Sequence, residues 1–246
     1  MRNKKAFTFL EIMFGLAILG IISAMVIPVF FNAYTDRVRG TQLKRVCGQI
    51  SYAIDSIMAD ERAGDTLNID DEDDTNSNSE NNSENEQQEN TVSTGFYLTS
   101  AGVKTSNSTQ GVEYFLNKYF KHIQVNCGAG GSNTCIGSSY RSPNKKSLGS
   151  VPNDFYCIRT TNSAAICMKY DDSAHAVIVI VDVNANEKPN ITGSDTFVMY
   201  ITSDGQLKDL DDDETHCNAN HTNANIQNYA SGCFTKVVTN GWKMSK

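Results

Sequence analysis

From Ile12 to Tyr34 the chain carries no charged residue. A helix needs ~20 predominantly apolar residues to cross a hydrocarbon core, and this run is long enough. A carboxylate, Glu11, stands at its head and a proline, Pro28, near its far end. Ahead of it lies a short basic leader, Met1 to Ala6, with Arg2, Lys4 and Lys5. Positive charge on that flank holds the N-terminus on the cytoplasmic side, so the chain beyond about residue 32 is expected outside the membrane. A cleaved secretory signal fits poorly, because its apolar core is usually ~7–15 residues with a small-x-small cleavage site behind it. Here the run is longer, and the following NAYTDRVRG reads on as helix. A plain single-span anchor leaves Glu11 unexplained, since a carboxylate at the edge of the apolar phase is costly and usually has a task.

Helical patterning continues past the apolar run. Leu43, Val46, Cys47, Ile50, Ile54, Ile57 and Met58 recur at steps of three and four, with charged residues on the other faces. The spacing predicts one helix from about Phe7 to Asp60, ~80 Å long at ~1.5 Å per residue. Its first half is apolar all round and its second half amphipathic. Pro28 removes a backbone donor and favours a bend or local melting; Gly40 is a second weak point. The stretch 61–110 is expected to be an acidic low-complexity loop. Between Asp65 and Thr94 there are ten Asp and Glu and no Lys or Arg. A segment of that composition buries too little apolar surface to offset its ordering entropy. Without those ten, the formal charge moves from -7 to +3, and the leader accounts for those three positive charges. The rest is near neutral, which gives no reason to expect nucleic-acid binding.

A globular ectodomain over 111–246 is expected. Gly111 to Ile123 reads as a short amphipathic helix, with His122 as its exposed end. Strands are expected at Phe155–Thr160, Ala164–Tyr170, Ala176–Val183 and Thr196–Thr202, with a last one at Phe234–Thr239. Short strands joined by turns argue for an antiparallel sheet packed on the second half of the long helix, an α+β fold. Seven cysteines are present. Six of them, Cys127, Cys135, Cys157, Cys167, Cys217 and Cys233, form an even set in an exported domain and read as a disulfide framework. Nearest-neighbour pairing is expected because each pair brackets a short loop. Cys47 is left over on the apolar stripe of the first helix as a buried thiol. His216, Cys217, His221 and Cys233 also offer a zinc donor set, at a spacing that matches no common finger.

At its start, Lys4-Lys5-Ala6-Phe7-Thr8-Phe9-Leu10-Glu11 resembles the leader of type IV pilins and type II secretion pseudopilins. The resemblance implies a cut by prepilin peptidase between Ala6 and Phe7, followed by N-methylation of Phe7. Glu11 is then the fifth mature residue, and Pro28 falls where many pilins also have proline. Ala6 stands where the family usually has Gly, and a small residue is retained. The resemblance implies assembly through the N-terminal helix, with Glu11 neutralising the Phe7 amine of its own or a neighbouring subunit. It also implies residence in a bacterial inner membrane before entry into a filament. The expected partners are copies of itself or sister pilins, prepilin peptidase and an inner-membrane assembly platform. A disulfide near the C-terminus, as at Cys217 and Cys233, is common in pilins.

Between two predicted strands, Asp182, Asn184, Pro189, Asn190, Gly193 and Asp195 resemble a D-x-N-G-x-x-x-P-N-x-x-G-x-D connection of pilin-like and pseudopilin-like ectodomains, some of which bind calcium there. Ala185 replaces the usual Gly. Calcium, with Asp182, Asn184 and Asp195 as ligands, is one reading; an Asx-rich turn that satisfies its own backbone is the other. No other cofactor is implied.

No enzyme is expected. The His residues at 122, 175, 216 and 221 are scattered, and no G-x-S-x-G or HExxH occurs. The glycine-rich CGAGGSNTC lacks a preceding strand and a Gly-Lys-Ser/Thr ending, which excludes a phosphate-binding loop. A structural subunit of a pilus or pseudopilus is expected. The alternative is a membrane-anchored binding or adhesion domain that does not polymerise.

Overall fold

The structure is a computed structural model and describes residues 8–62, 108–171, 173–174, 176–202 and 204–244. Ala6, Phe7, the acidic stretch 65–94 and His175 lie outside the described residues. The first helix, α1 (Phe9–Arg62), is continuous through Pro28 and Gly40. It carries one segment, Phe9–Ile27, long and apolar enough to cross a membrane, with none of that segment buried against the rest of the protein. From Leu43 on, the same helix buries a stripe of Leu43, Val46, Ile50, Ala53, Ile54 and Ile57. The change from all-round exposure to a single buried stripe follows the change in sequence pattern from uniformly apolar to amphipathic.

The remaining elements, in chain order, are α2 (Ser108–Tyr119), β1 (His122–Gln124), β2 (Tyr140–Arg141), β3 (Ser147–Gly149), β4 (Tyr156–Thr160), β5 (Ala165–Asp171), β6 (Ala176–Asp182), β7 (Thr196–Ile201), β8 (Leu207–Asp209), a single 3-10 turn Glu214–His216, α3 (Ile226–Ala230) and α4 (Cys233–Thr239). Six strands form one antiparallel sheet in the order β1-β4-β5-β6-β7-β8. A separate β2–β3 hairpin lies outside it. The architecture is α+β and pilin-like: a long apolar helix continued onto an antiparallel sheet.

The period-2 alternation of strands divides the core into two layers. Ile158, Ile166, Met168, Val179, Phe197 and Met199 meet α1 and α2 on one face. Cys157, Cys167, Ile178, Ile180 and Val198 face the other way, toward Tyr140, Leu148, Tyr229 and the Cys127–Cys135 loop. Every residue of β6 is buried, as its uninterrupted β-branched run requires of a central strand covered on both faces. Cys47 is buried and free, and its Sγ lies 3.9 Å from Met199 Sδ. Burial pushes its thiol up to about 12, which leaves it unreactive.

Two expectations are corrected. Phe234–Thr239 is not a strand but most of α4. Its β-formers face the core as Cys233, Phe234 and Val237, a helical spacing. The Asp209 carboxylate fixes the helix start by accepting from Gly232 N at 2.9 Å and Thr235 N at 2.7 Å. Asp209 itself is a buried cap at 7% exposure. Finally, the helix expected to reach Ile123 stops at Tyr119, and His122 opens the edge strand β1.

Candidate functional site

Two places concentrate polar chemistry. The first is the head of α1. Glu11 Oε2 accepts from Thr8 N at 3.1 Å and from Thr8 Oγ1 at 3.2 Å, while Glu11 N donates to Thr8 Oγ1 at 3.3 Å. This reciprocal pairing is a capping box, in which a threonine and a glutamate three residues on satisfy backbone donors that no helical turn can reach. In the isolated chain the carboxylate is thus held at the helix N-terminus, where the helix dipole favours negative charge. Thr8 follows Phe7 directly, so a new terminus at Phe7 would put its amine one residue from this carboxylate. Thr8 was legible as the T-x-x-E signature just before an apolar run.

The second place is the connection between β6 and β7. Asp182 and Asp195 are buried at 1% and 0% exposure. Asp182 Oδ1 accepts from Asn184 N at 3.2 Å, and its Oδ2 accepts from Tyr140 Oη at 2.8 Å. Tyr140 Oη in turn accepts from Gly137 N at 3.0 Å. Asp195 Oδ1 accepts from Ile191 N at 2.6 Å and Thr196 Oγ1 at 3.3 Å, and Oδ2 accepts from Asn190 N at 2.9 Å. Burial raises the Asp182 carboxyl well above the ordinary range, and the negative charge of Asp195 adds to the effect. Burial also raises Asp195, while its backbone N–H donors and the Arg39 cation on α1 pull the other way.

The loop is latched to the C-terminal disulfide. Thr192 Oγ1 donates to Asn218 Oδ1 at 2.6 Å, and Asn218 Nδ2 donates to Thr192 O at 3.2 Å. A side chain at Gly193 would come within 3.0 Å of Cys233 Sγ and 3.1 Å of Cys217 Sγ. Ala185, where the resembling loops have Gly, adopts φ 58°, a left-handed conformation costly for an L-residue with a side chain.

These residues do not fit a calcium cage. Each of the four carboxylate oxygens accepts a hydrogen bond from an N–H or hydroxyl of the same domain. Asn184 Oδ1 and Asn190 Oδ1 are buried without a partner, and two amide oxygens fall short of the six to eight that calcium takes. Among the described residues no group of three or more His, Cys, Asp or Glu side chains is placed to hold a metal ion. The zinc reading also fails, because Cys217 and Cys233 are joined to each other. The other disulfides are Cys127–Cys135 and Cys157–Cys167, so all three are nearest-neighbour pairs.

Residues 1–27 match the family model described as the prokaryotic N-terminal methylation motif. The chain carries the type IV pilin and pseudopilin signal. No curated protein and no solved structure gives a significant match. The motif covers the leader, Glu11 and the apolar run as far as Ile27, and the capping box lies within it. The Asp182–Asp195 loop lies beyond the matched residues.

Proposed function

We propose that this chain is a structural subunit of a type IV pilus or a type II secretion pseudopilus, and not an enzyme. Prepilin peptidase cuts it between Ala6 and Phe7 on the cytoplasmic side, and Phe7 is then N-methylated. The mature chain waits in the bacterial inner membrane through the apolar half of α1, with its ectodomain outside. An assembly platform moves it into a filament, where that apolar half leaves lipid and packs against the same region of neighbouring copies or sister subunits. The observation that carries this reading is the methylation motif at residues 1–27 on a single helix that runs from a membrane-length apolar segment into a disulfide-bonded core.

The capping box gives the assembly step a physical form. A carboxylate moved into an apolar helix bundle is tolerated only when paired. Glu11 leaves the Thr8 hydroxyl for a Phe7 amine when the helices pack, exchanging a neutral partner for a charged one. Pro28 lacks the donor for one helical hydrogen bond and is where the rod loosens during that passage. The test is filament incorporation of a Glu11→Gln variant in cells that carry the matching machinery. Gln keeps the cap's acceptor but not its charge. The reading expects membrane insertion with loss from sheared filaments, and normal incorporation of Glu11→Gln overturns the pairing.

A further inference from the structure

We propose that the base of the ectodomain is a docking surface for an anionic lipid headgroup layer, made by the C-terminal segment together with the stretch of α1 just above the apolar run. The inference rests on the membrane-spanning part of the proposed function. It concerns what the globular part does while the chain is held in the bilayer.

Helix geometry sets the heights. With Glu11 at the inner edge, the outer edge of a ~30 Å hydrocarbon core falls near Phe31 at ~1.5 Å per residue. Phe30, Phe31 and Tyr34 are exposed at 70%, 65% and 68%, which suits the aromatic belt found at a membrane–water interface. Arg37 then stands ~9 Å past the core, within or at the edge of the headgroup layer. Gly40 stands ~14 Å past it. The C-terminal segment lies at that height, because a side chain at Gly40 would come within 2.0 Å of Trp242 O.

The segment is held there. Trp242 N donates to Val237 O at 2.8 Å, and Asn240 Nδ2 donates to Lys243 O at 3.1 Å. The Trp242 ring packs edge-on against Phe234 and lies 5.9 Å from Lys44 Nζ. Arg37, Lys44 and Lys243 are exposed and make no ion pair among the described residues. Arg39 is partly buried and its charge acts on Asp195. Asp36 is the acidic residue of this stretch of α1. Arg37, Lys243 and an amphipathic tryptophan therefore sit within about one Debye length, ~8–10 Å, of the headgroups, with Lys44 about one helical turn further out. Continuity with the membrane-length segment of the same helix singles out a lipid surface as the occupant.

Trp242 is the only tryptophan in the chain, so its emission reports on this surface alone. The test reconstitutes the full chain in phosphatidylcholine vesicles with and without about one-third phosphatidylglycerol, plus lipid bearing a nitroxide on its headgroup. Flotation after an alkaline wash establishes insertion first, and failure at that stage counts against the proposed function. In inserted protein, nitroxide quenching of Trp242 should be greater in the anionic vesicles and fall to the zwitterionic level at about 1 M salt, where the Debye length is ~3 Å. Each cation near an anionic surface is worth about fivefold in occupancy, so Arg37→Ser with Lys243→Ser should lower the docked population roughly 25-fold. Equal quenching in both vesicle types overturns the proposal, as does full quenching in the double variant. Two further outcomes also overturn it: an emission change caused by inorganic phosphate alone, and one that follows protein density in zwitterionic vesicles, which would assign the surface to a second copy.

Discussion

Replacing Gly40 with Ala tests whether the C-terminal segment clamps α1 where the helix leaves the membrane. By helix propensity alone the change favours the protein, since Gly in a helix interior costs ~1 kcal/mol relative to Ala. The structure reverses that sign. The new Cβ would lie 2.0 Å from Trp242 O and 3.1 Å from Trp242 C. These are backbone atoms, so the segment has to move by more than 1 Å, an overpacking that typically costs ~1–3 kcal/mol. Movement also disturbs the Phe234–Trp242 edge contact at 6.1 Å and the Lys44 contact at 5.9 Å, together worth ~1–2 kcal/mol. The expected net loss is about 1–4 kcal/mol. The assay is urea unfolding in detergent followed by Trp242 emission, with far-UV circular dichroism alongside. A red-shifted native spectrum with an earlier fluorescence transition is expected. A variant with unchanged emission and higher stability would refute the clamp and leave Gly40 as the weak point that helix propensity alone makes it.

Other parts of the molecule make separate predictions. Removing the Cys217–Cys233 bridge, which spans a sequence separation of 16, with paired Ser substitutions should cost ~3 kcal/mol by the loop-entropy relation. It should also free the β6–β7 connection to proteolysis, and an unchanged urea midpoint would contradict the latch. Asp182 has its folded-state pKa raised by burial. The native state therefore holds a proton that the unfolded chain releases, so stability from this group is full below the ordinary carboxylate value and is lost as pH rises toward the raised one. Asp182→Asn cannot titrate and should flatten that dependence above about pH 4. The difference between variant and parent is the readout, because exposed Asp171 and Asp211, held low by hydrogen bonds, give the opposite slope. At Ala185, with φ 58° and no exposure, Ala185→Gly should shift stability by less than ~1 kcal/mol, since relief of strain offsets backbone entropy and a lost buried methyl. Ala185→Val should cost ~2 kcal/mol or more, because a β-branched residue is a genuine outlier there. Equal thermal midpoints for the two variants would show that the left-handed turn is wrong.

What could be read from the residues follows the range of the forces involved. The apolar run, the stripe from Leu43 to Ile57 and the Cys157–Cys167 hairpin are local patterns, and each appears in the structure as such. Glu11 stood out because a charge at an apolar edge is conspicuous, and Thr8 sits at the capping-box spacing beside it. By contrast, α4 was hidden. Phe, Thr and Val dominate it, and its start depends on a carboxylate at Asp209, far earlier in the chain. Strand propensity yields to such tertiary context. The Asp182–Asp195 loop looked like a cation site because its oxygens alternate in sequence. What the sequence did not display is where the donors are. Tyr140 arrives from a distant hairpin, and the N–H groups of Asn190 and Ile191 turn inward. Gly40 likewise read as a flaw in a helix until its neighbour was known to be the C-terminal backbone.

The central claim is that the functional chain begins at Phe7. Intact-mass spectrometry of the protein purified from cells that hold prepilin peptidase addresses it most directly. The account predicts the mass of residues 7–246, less two hydrogens for each of three disulfides, plus one methyl group that fragmentation places on the Phe7 amine. A chain that keeps Met1 to Ala6, or one cut downstream of Glu11, would contradict it.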